Sequence, residues 1–181
     1  MIIRGKTVFV YDIEVFPNLF TLAIKNTESG TSRVYEISSR KNDLPQIVQL
    51  FLSKKAIYAG FNTIHYDNCL VSFLMMHYKE LISLPIWEIC KKIKELSDEI
   101  VNSKDGQFSS WSKYKYANLF PTLDLLTMLW SSKLRVGLKE LQVTMGYHNV
   151  EEFEGDFNAW IPENQIEKVA EYKGITLVTK E

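Results

Sequence analysis

Apolar and polar positions in the first half of the chain follow two alternating rhythms, one of period two and one of helical period. Thr7-Val8-Phe9-Val10-Tyr11-Asp12-Ile13 is β-branched and aromatic with no breaker, which predicts a buried strand. A Pro17-Asn18 turn follows, and residues 19–25 and 33–37 read as two more strands joined by a hairpin connection. Leu44, Ile47, Val48, Leu50 and Phe51 then recur at helical spacing, with Asn42 or Asp43 available as a cap and Pro45 in the first turn. Residues 56–61 return to strand character and 67–78 to helix, the latter bearing Leu70, Phe73, Leu74 and Met75. A meander followed by helix, strand and helix predicts an α/β fold: a mixed central sheet with a three-stranded antiparallel meander and flanking helices.

Between residues 82 and 120 the pattern changes. An amphipathic helix at about 86–100 leads into a polar connection and an aromatic-basic stretch, read here as an insertion or substrate-binding arm within a single domain spanning 1–181. Core character resumes at 123–129, a helix is expected at 138–145 ending at Gly146, and a last helix over 163–172 starts after Pro162.

Composition narrows the class. With 46% hydrophobic and 24% charged residues, and no apolar run near the roughly 20 residues that span a bilayer, the chain reads as globular and not membrane-embedded. The first residues lack the apolar stretch of a secretory signal, and Cys69 and Cys90 form no C-x-x-C pair, so a cytoplasmic protein with reduced, buried thiols is expected. A net charge of −1 excludes a protein that coats nucleic acid by global attraction, but leaves room for an enzyme whose acidic site offsets basic residues elsewhere.

The candidate chemistry lies in two acidic clusters. Asp12 and Glu14 are two apart on a strand, so both side chains point to one face. Neighbouring carboxylates repel unless a cation lies between them, and hard ions such as Mg²⁺ or Mn²⁺ favour such an all-oxygen setting and can activate water against a phosphodiester. An isolated D-x-E also occurs in solvated strands; the apolar run directly before this one argues for burial. The second cluster, Gly60-Phe61-Asn62-Thr63-Ile64-His65-Tyr66-Asp67, leaves a strand, turns and opens a helix. Asp67 reads locally as an ordinary helix cap, or as a third carboxylate converging on the edge where Asp12 and Glu14 lie.

Tyr11-Asp12-Ile13-Glu14 resembles the first motif of the DnaQ-like 3′-to-5′ exonucleases. Gly60-Phe61-Asn62-x-x-x-Tyr66-Asp67 resembles the second, in the form found in the proofreading domains of family B DNA polymerases. Asp124-Leu125-Leu126, Gly137-Leu138-Lys139-Glu140-Leu141 and Val169-Ala170-Glu171-Tyr172 follow in the family's order and rough spacing. The resemblance implies a ribonuclease H-like fold and two-ion hydrolysis with Mg²⁺ or Mn²⁺. Asp12 would bridge both ions, Glu14 bind the first and Asp67 support the second, partly through water. Phe61, Asn62 and Tyr66 are the implied substrate-binding residues, with Asn62 on the terminal nucleotide, and Tyr172 would orient the attacking water in the tyrosine-bearing (DEDDy) branch. The implied substrate is a single-stranded DNA 3′ end, or RNA, and the implied partner a polymerase or other replication protein.

That branch places an aspartate four residues after its tyrosine, and here the position is Thr176, a neutral hydroxyl in place of a carboxylate. The open explanations are a truncated or altered chain, a weakened enzyme completed by another carboxylate, or a family member that binds without cutting; Glu154 and Asp156 would substitute only if their loop folds inward, and otherwise read as a solvated acidic loop. His148 lacks the spacing of the histidine-bearing branch. Trp111-Ser112-Lys113-Tyr114-Lys115-Tyr116 alternates aromatic and basic residues. If extended, it would set Trp111, Lys113 and Lys115 on one face and Tyr114 and Tyr116 on the other, so that bases could stack while lysines neutralise phosphates; the alternative is an edge strand guarded by lysines. Lys91, Lys92 and Lys94 read as a solvated helix face.

Overall fold

Alternation along the first long strand decides which face of the sheet becomes core. The computed structural model describes residues 1–103, 110–129, 137 and 156–169. A two-residue strand β1 (Ile2–Ile3) turns back into β2 (Lys6–Phe16), which pairs antiparallel with β3 (Leu19–Asn26); β3 pairs with β4 (Ser32–Ser38), and β4 with the short β5 (Lys41–Asn42). This is the expected meander. Helix α1 (Leu44–Phe51) then crosses over so that β6 (Ala56–Gly60) lies parallel to β2 on its other side. A 3-10 turn (Thr63–His65), α2 (Asp67–Met76), α3 (Tyr78–Leu81), α4 (Ile86–Asn102) and α5 (Ser112–Lys115) precede β7 (Thr122–Asp124), which adds parallel to β6 before α6 (Leu125–Leu129). The sheet order is β5-β4-β3-β2-β6-β7, an open mixed sheet with flanking helices.

Tyr11, Ile13 and Val15 lie opposite Ile24, Leu22 and Phe20 of β3, so all six share one face. That face carries the main core: Leu44, Ile47 and Phe51 of α1, Leu70 and Leu74 of α2, and Ile89 and Ile93 of α4 are all buried against it. Within residues 82–120, α4 packs into this core. The amphipathic stripe of α4 closes the sheet, because its apolar residues recur every three or four positions on the side that meets the strands.

The opposite face of β2 bears Asp12, Glu14 and Phe16, opposite Ala23, Thr21 and Leu19. Phe16 and Leu19 bury a second, smaller cluster with Ile161, Ile166 and Val169, so the helical residues 163–169 dock at the turn end of this hairpin. Glu36, opposite Thr21 and buried, is held by Arg40, whose guanidinium also reaches Glu167 at 2.9 Å. Among the described residues no helix is long and apolar enough to cross a membrane. Both cysteines are buried and free, as expected.

Candidate active site

β2 is eleven residues long, but its parallel pairing with β6 stops at Val10 opposite Ala59. Past that point β6 ends and the chain turns away, so the β6-facing side of β2 has no strand to receive its amides. An unpaired buried N–H is costly, and the partner found here is a side chain: the Ile13 amide donates to Asp67 Oδ1 at 3.1 Å. Ile13 lies between Asp12 and Glu14. Asp67 is thus brought to the segment that carries the other two carboxylates, in the opening left where β6 ends beside β2.

Asp67 is the first residue of α2 and is buried at 6% exposure, whereas Asp12 and Glu14 are half-buried. Its carboxyl titrates well above the ordinary aspartate range. Burial is the main cause, and the charge of Asp12 adds to it; hydrogen bonds from its own backbone and from Ile13 oppose the shift, and Glu14 raises it further. Tyr66 stands beside this group with its hydroxyl 2.8 Å from Ser97 Oγ on α4. Its phenol is pushed up to about 12, chiefly by burial and then, against the Ser97 bond, by the nearby charges of Asp67, Glu14 and Asp98. Beneath them, the Tyr11 hydroxyl donates to Asn68 Oδ1.

The loop that delivers Asp67 is anchored by a residue whose role the sequence did not disclose. Asp124, buried at the end of β7, accepts the Asn62 amide on Oδ1 at 2.9 Å and the Ile64 amide on Oδ2 at 3.0 Å. Oδ1 also takes the Leu126 amide at 3.0 Å. Asn62 needs this anchoring because its backbone sits in the left-handed region at φ 60°, which asparagine tolerates better than most residues. Gly60 precedes it where space is short: a Cβ there would lie 2.3 Å from Thr63 Cγ2 and 3.1 Å from the Tyr11 carbonyl. Gly60→Ala is expected to destabilise the fold by about 1–3 kcal/mol, the usual result of overpacking, with urea denaturation as the measurement.

The aromatic-basic stretch does not have the extended form expected of it. Residues 112–115 form a helical turn, which places Trp111 and Tyr114 three apart on one side, and both are buried in the main core. The indole of Trp111 donates to Ser103 Oγ at 3.1 Å, and the Tyr114 hydroxyl meets His77 Nε2 at 3.1 Å. Neither ring is open to a base. Lys113 is exposed and Lys115 half-buried, and each ammonium lies over the ring of the tyrosine that follows it. Phe61 and Asn62 are half-buried on the loop before Asp67. Lys94 also departs from the solvated face expected of it: its side chain is only 12% exposed, with its ammonium on Asp98 and Asn158. Asp156 caps an exposed turn through the Asn158 amide, as a solvated loop residue would. Tyr172, Thr176, His148, Glu154 and the helix expected at 138–145 lie outside the described residues.

Among the described residues no group of three histidine, cysteine or acidic side chains is arranged to hold a metal ion. The donor chemistry of Asp12, Glu14 and Asp67 nevertheless suits a hard divalent cation, because Asp67 is buried in the field of two like charges. Asp67→Asn tests this balance. Asparagine keeps an acceptor for the Ile13 amide and removes the charge. A carboxyl whose native pKa exceeds its unfolded value weakens the native state as pH rises from about 3.9 through the raised value, and the penalty persists above it. In EDTA, Asp67→Asn is therefore expected to melt a few degrees higher than wild type at about pH 8 and at the same temperature near pH 4. Equal melting at both values would mean that Asp67 is not under this strain.

Comparison with protein-family models, with curated proteins and with solved structures gave no match for this chain. Fold and site together define an α/β protein with an acidic opening at the point where β6 ends beside β2.

Proposed function

We propose that the chain is a metal-dependent 3′-to-5′ exonuclease domain of ribonuclease H-like architecture, acting on single-stranded DNA ends. The observation that carries this reading is the Ile13–Asp67 hydrogen bond, which sets a buried carboxylate beside a strand bearing two more. Asp12, Glu14 and Asp67 would hold Mg²⁺ or Mn²⁺, which when bound supplies an activated water and charge stabilisation for phosphodiester hydrolysis. The residues of the chain hold their carboxylates in place: β2 pairing sets Asp12 and Glu14 on one face, and Asp124 fixes the loop that leads to Asp67. Asn62 and Phe61, half-buried on that loop, would meet the terminal nucleotide. A proofreading role beside a polymerase is the setting this activity suits.

End-labelled single-stranded DNA incubated with Mn²⁺ or Mg²⁺ is expected to shorten progressively from its 3′ end. No shortening with either ion, under conditions where the strand is bound, would retire the reading. RNA of the same sequence, digested alongside, ranks the two substrates. One residue favours a second reading: with Thr176 in place of a carboxylate, the chain would keep the fold and bind single strands without cutting them. Calorimetry separates the two, since the enzyme takes up divalent ions at Asp12 and the binding module does not.

A further inference from the structure

A cleft of about 430 Å³ lies between the β2–β3 turn and α4, lined in part by Pro17, Trp87, Lys91, Lys94, Asp98 and Trp160. Trp87 is 62% exposed and Trp160 65% exposed. Single exposed apolar residues are ordinary on protein surfaces, but two indoles lining one concavity keep a large planar apolar surface in water, as binding sites do. The cleft is connected to the carboxylate-bearing strand through Tyr66 and through Pro17. Asp98 follows Ser97, which bonds the Tyr66 hydroxyl, and Tyr66 lies within the electrostatic reach of both Glu14 and Asp98. Pro17 comes three residues after Glu14, roughly 10 Å further along an extended chain.

The charges at the cleft indicate which part of a ligand is recognised. Lys94 is bonded to Asp98 and, at 2.8 Å, to Asn158 Oδ1, and Lys91 lies 3.8 Å from Glu95. Both ammonium groups are thus offset by carboxylates or an amide, and Glu163 adds a further negative charge to the lining. Attraction for a phosphate is weak here. A flat, uncharged aromatic group is the ligand that two indoles take without help from charge. We propose that this cleft stacks an unpaired nucleobase of the strand whose 3′ end reaches Asp12, Glu14 and Asp67; the proposal rests on the exonuclease reading. Stacking of this kind tolerates any base, and its contribution varies little with salt, unlike contacts to phosphate.

The test is a titration in EDTA, so that cutting plays no part. A labelled oligothymidine of about ten nucleotides, a length within the usual span of single-strand sites, is bound to wild type, Trp87→Ala, Trp160→Ala and the double variant. The same strand made abasic serves as the control. Each alanine is expected to weaken binding of the base-bearing strand at least about fivefold, at low and high salt alike, and to leave the abasic strand unaffected. Phenylalanine at either position is expected to retain most of the affinity and so to exclude misfolding as the cause. Equal loss for both strands, no loss, or absence of binding by wild type would overturn the inference. Trimming by the double variant with unchanged KM would overturn it too, while leaving the exonuclease reading standing. Strands that stack in the cleft but are never shortened would retire the exonuclease reading and keep the cleft.

Discussion

Asp12→Ala is expected to abolish shortening of a single-stranded 3′ end by at least about a thousandfold, or roughly 4 kcal/mol in the barrier. The physical ground is the position of this side chain. Asp12 shares a face with Glu14 and exerts the largest charge effect on buried Asp67, so it is the carboxylate most closely coupled to that residue. Its neighbour across the ladder is Ala23, which makes no demand on the carboxylate. Alanine at position 12 therefore leaves the ladder intact and relieves repulsion on Asp67, so the variant should fold normally and melt no lower than wild type. Single-turnover cleavage with excess protein, followed on a sequencing gel, is the measurement. A folded variant that trims at the wild-type rate would show that the acidic opening is not where cutting occurs.

Asp124→Ala is expected to have the largest effect on stability, about 3–5 kcal/mol, because it strands several backbone amides that one carboxylate now satisfies. Asn62, Ile64 and Leu126 would each lose an acceptor, two of them in a loop whose residue 62 is in the left-handed region. At about 2–4 °C per kcal/mol for a chain of this size, the melting temperature should fall by roughly 6–20 °C. Asp124→Asn separates charge from shape: an amide that accepts on one side must present N–H groups toward the Ile64 amide on the other, so it should recover only part of the loss. Amide exchange at positions 62 and 64 locates the effect. A drop below about 1 kcal/mol for alanine would mean that the loop is held by other means.

Much of the fold could be read from the residues because its elements announce themselves locally. The apolar spacing of α1 and the amphipathic stripe of α4 matched the observed helices closely, and the meander followed from β-branched runs broken at Pro17-Asn18 and again at residues 26–32. The β-branched and aromatic run predicts a strand over residues 7–13. It continues to Phe16 because the acids occupy one face while Tyr11, Ile13 and Val15 keep the other apolar. The proximity of Asp67 to Asp12 and Glu14 was legible from the order strand, turn, helix. The role of Asp124 was not, since its partners are amides 60 and 62 residues away and an amide leaves no mark on the sequence. The misreading of Trp111 to Tyr116 was one of period. Alternation suggested an extended strip, yet Trp111 and Tyr114 are also spaced as a helix spaces them, and a core with room for two rings decided between the periods.

The acids of β2 alternate with the residues that hold the main core together, and this ties heredity of the chemistry to heredity of the fold. A one-residue slip of β2 against β3 would turn Asp12 and Glu14 toward the helices and Tyr11 and Ile13 toward the other face. The requirement for a packed core on one side of β2 therefore keeps the acidic pair on the other, whatever chemistry that pair performs.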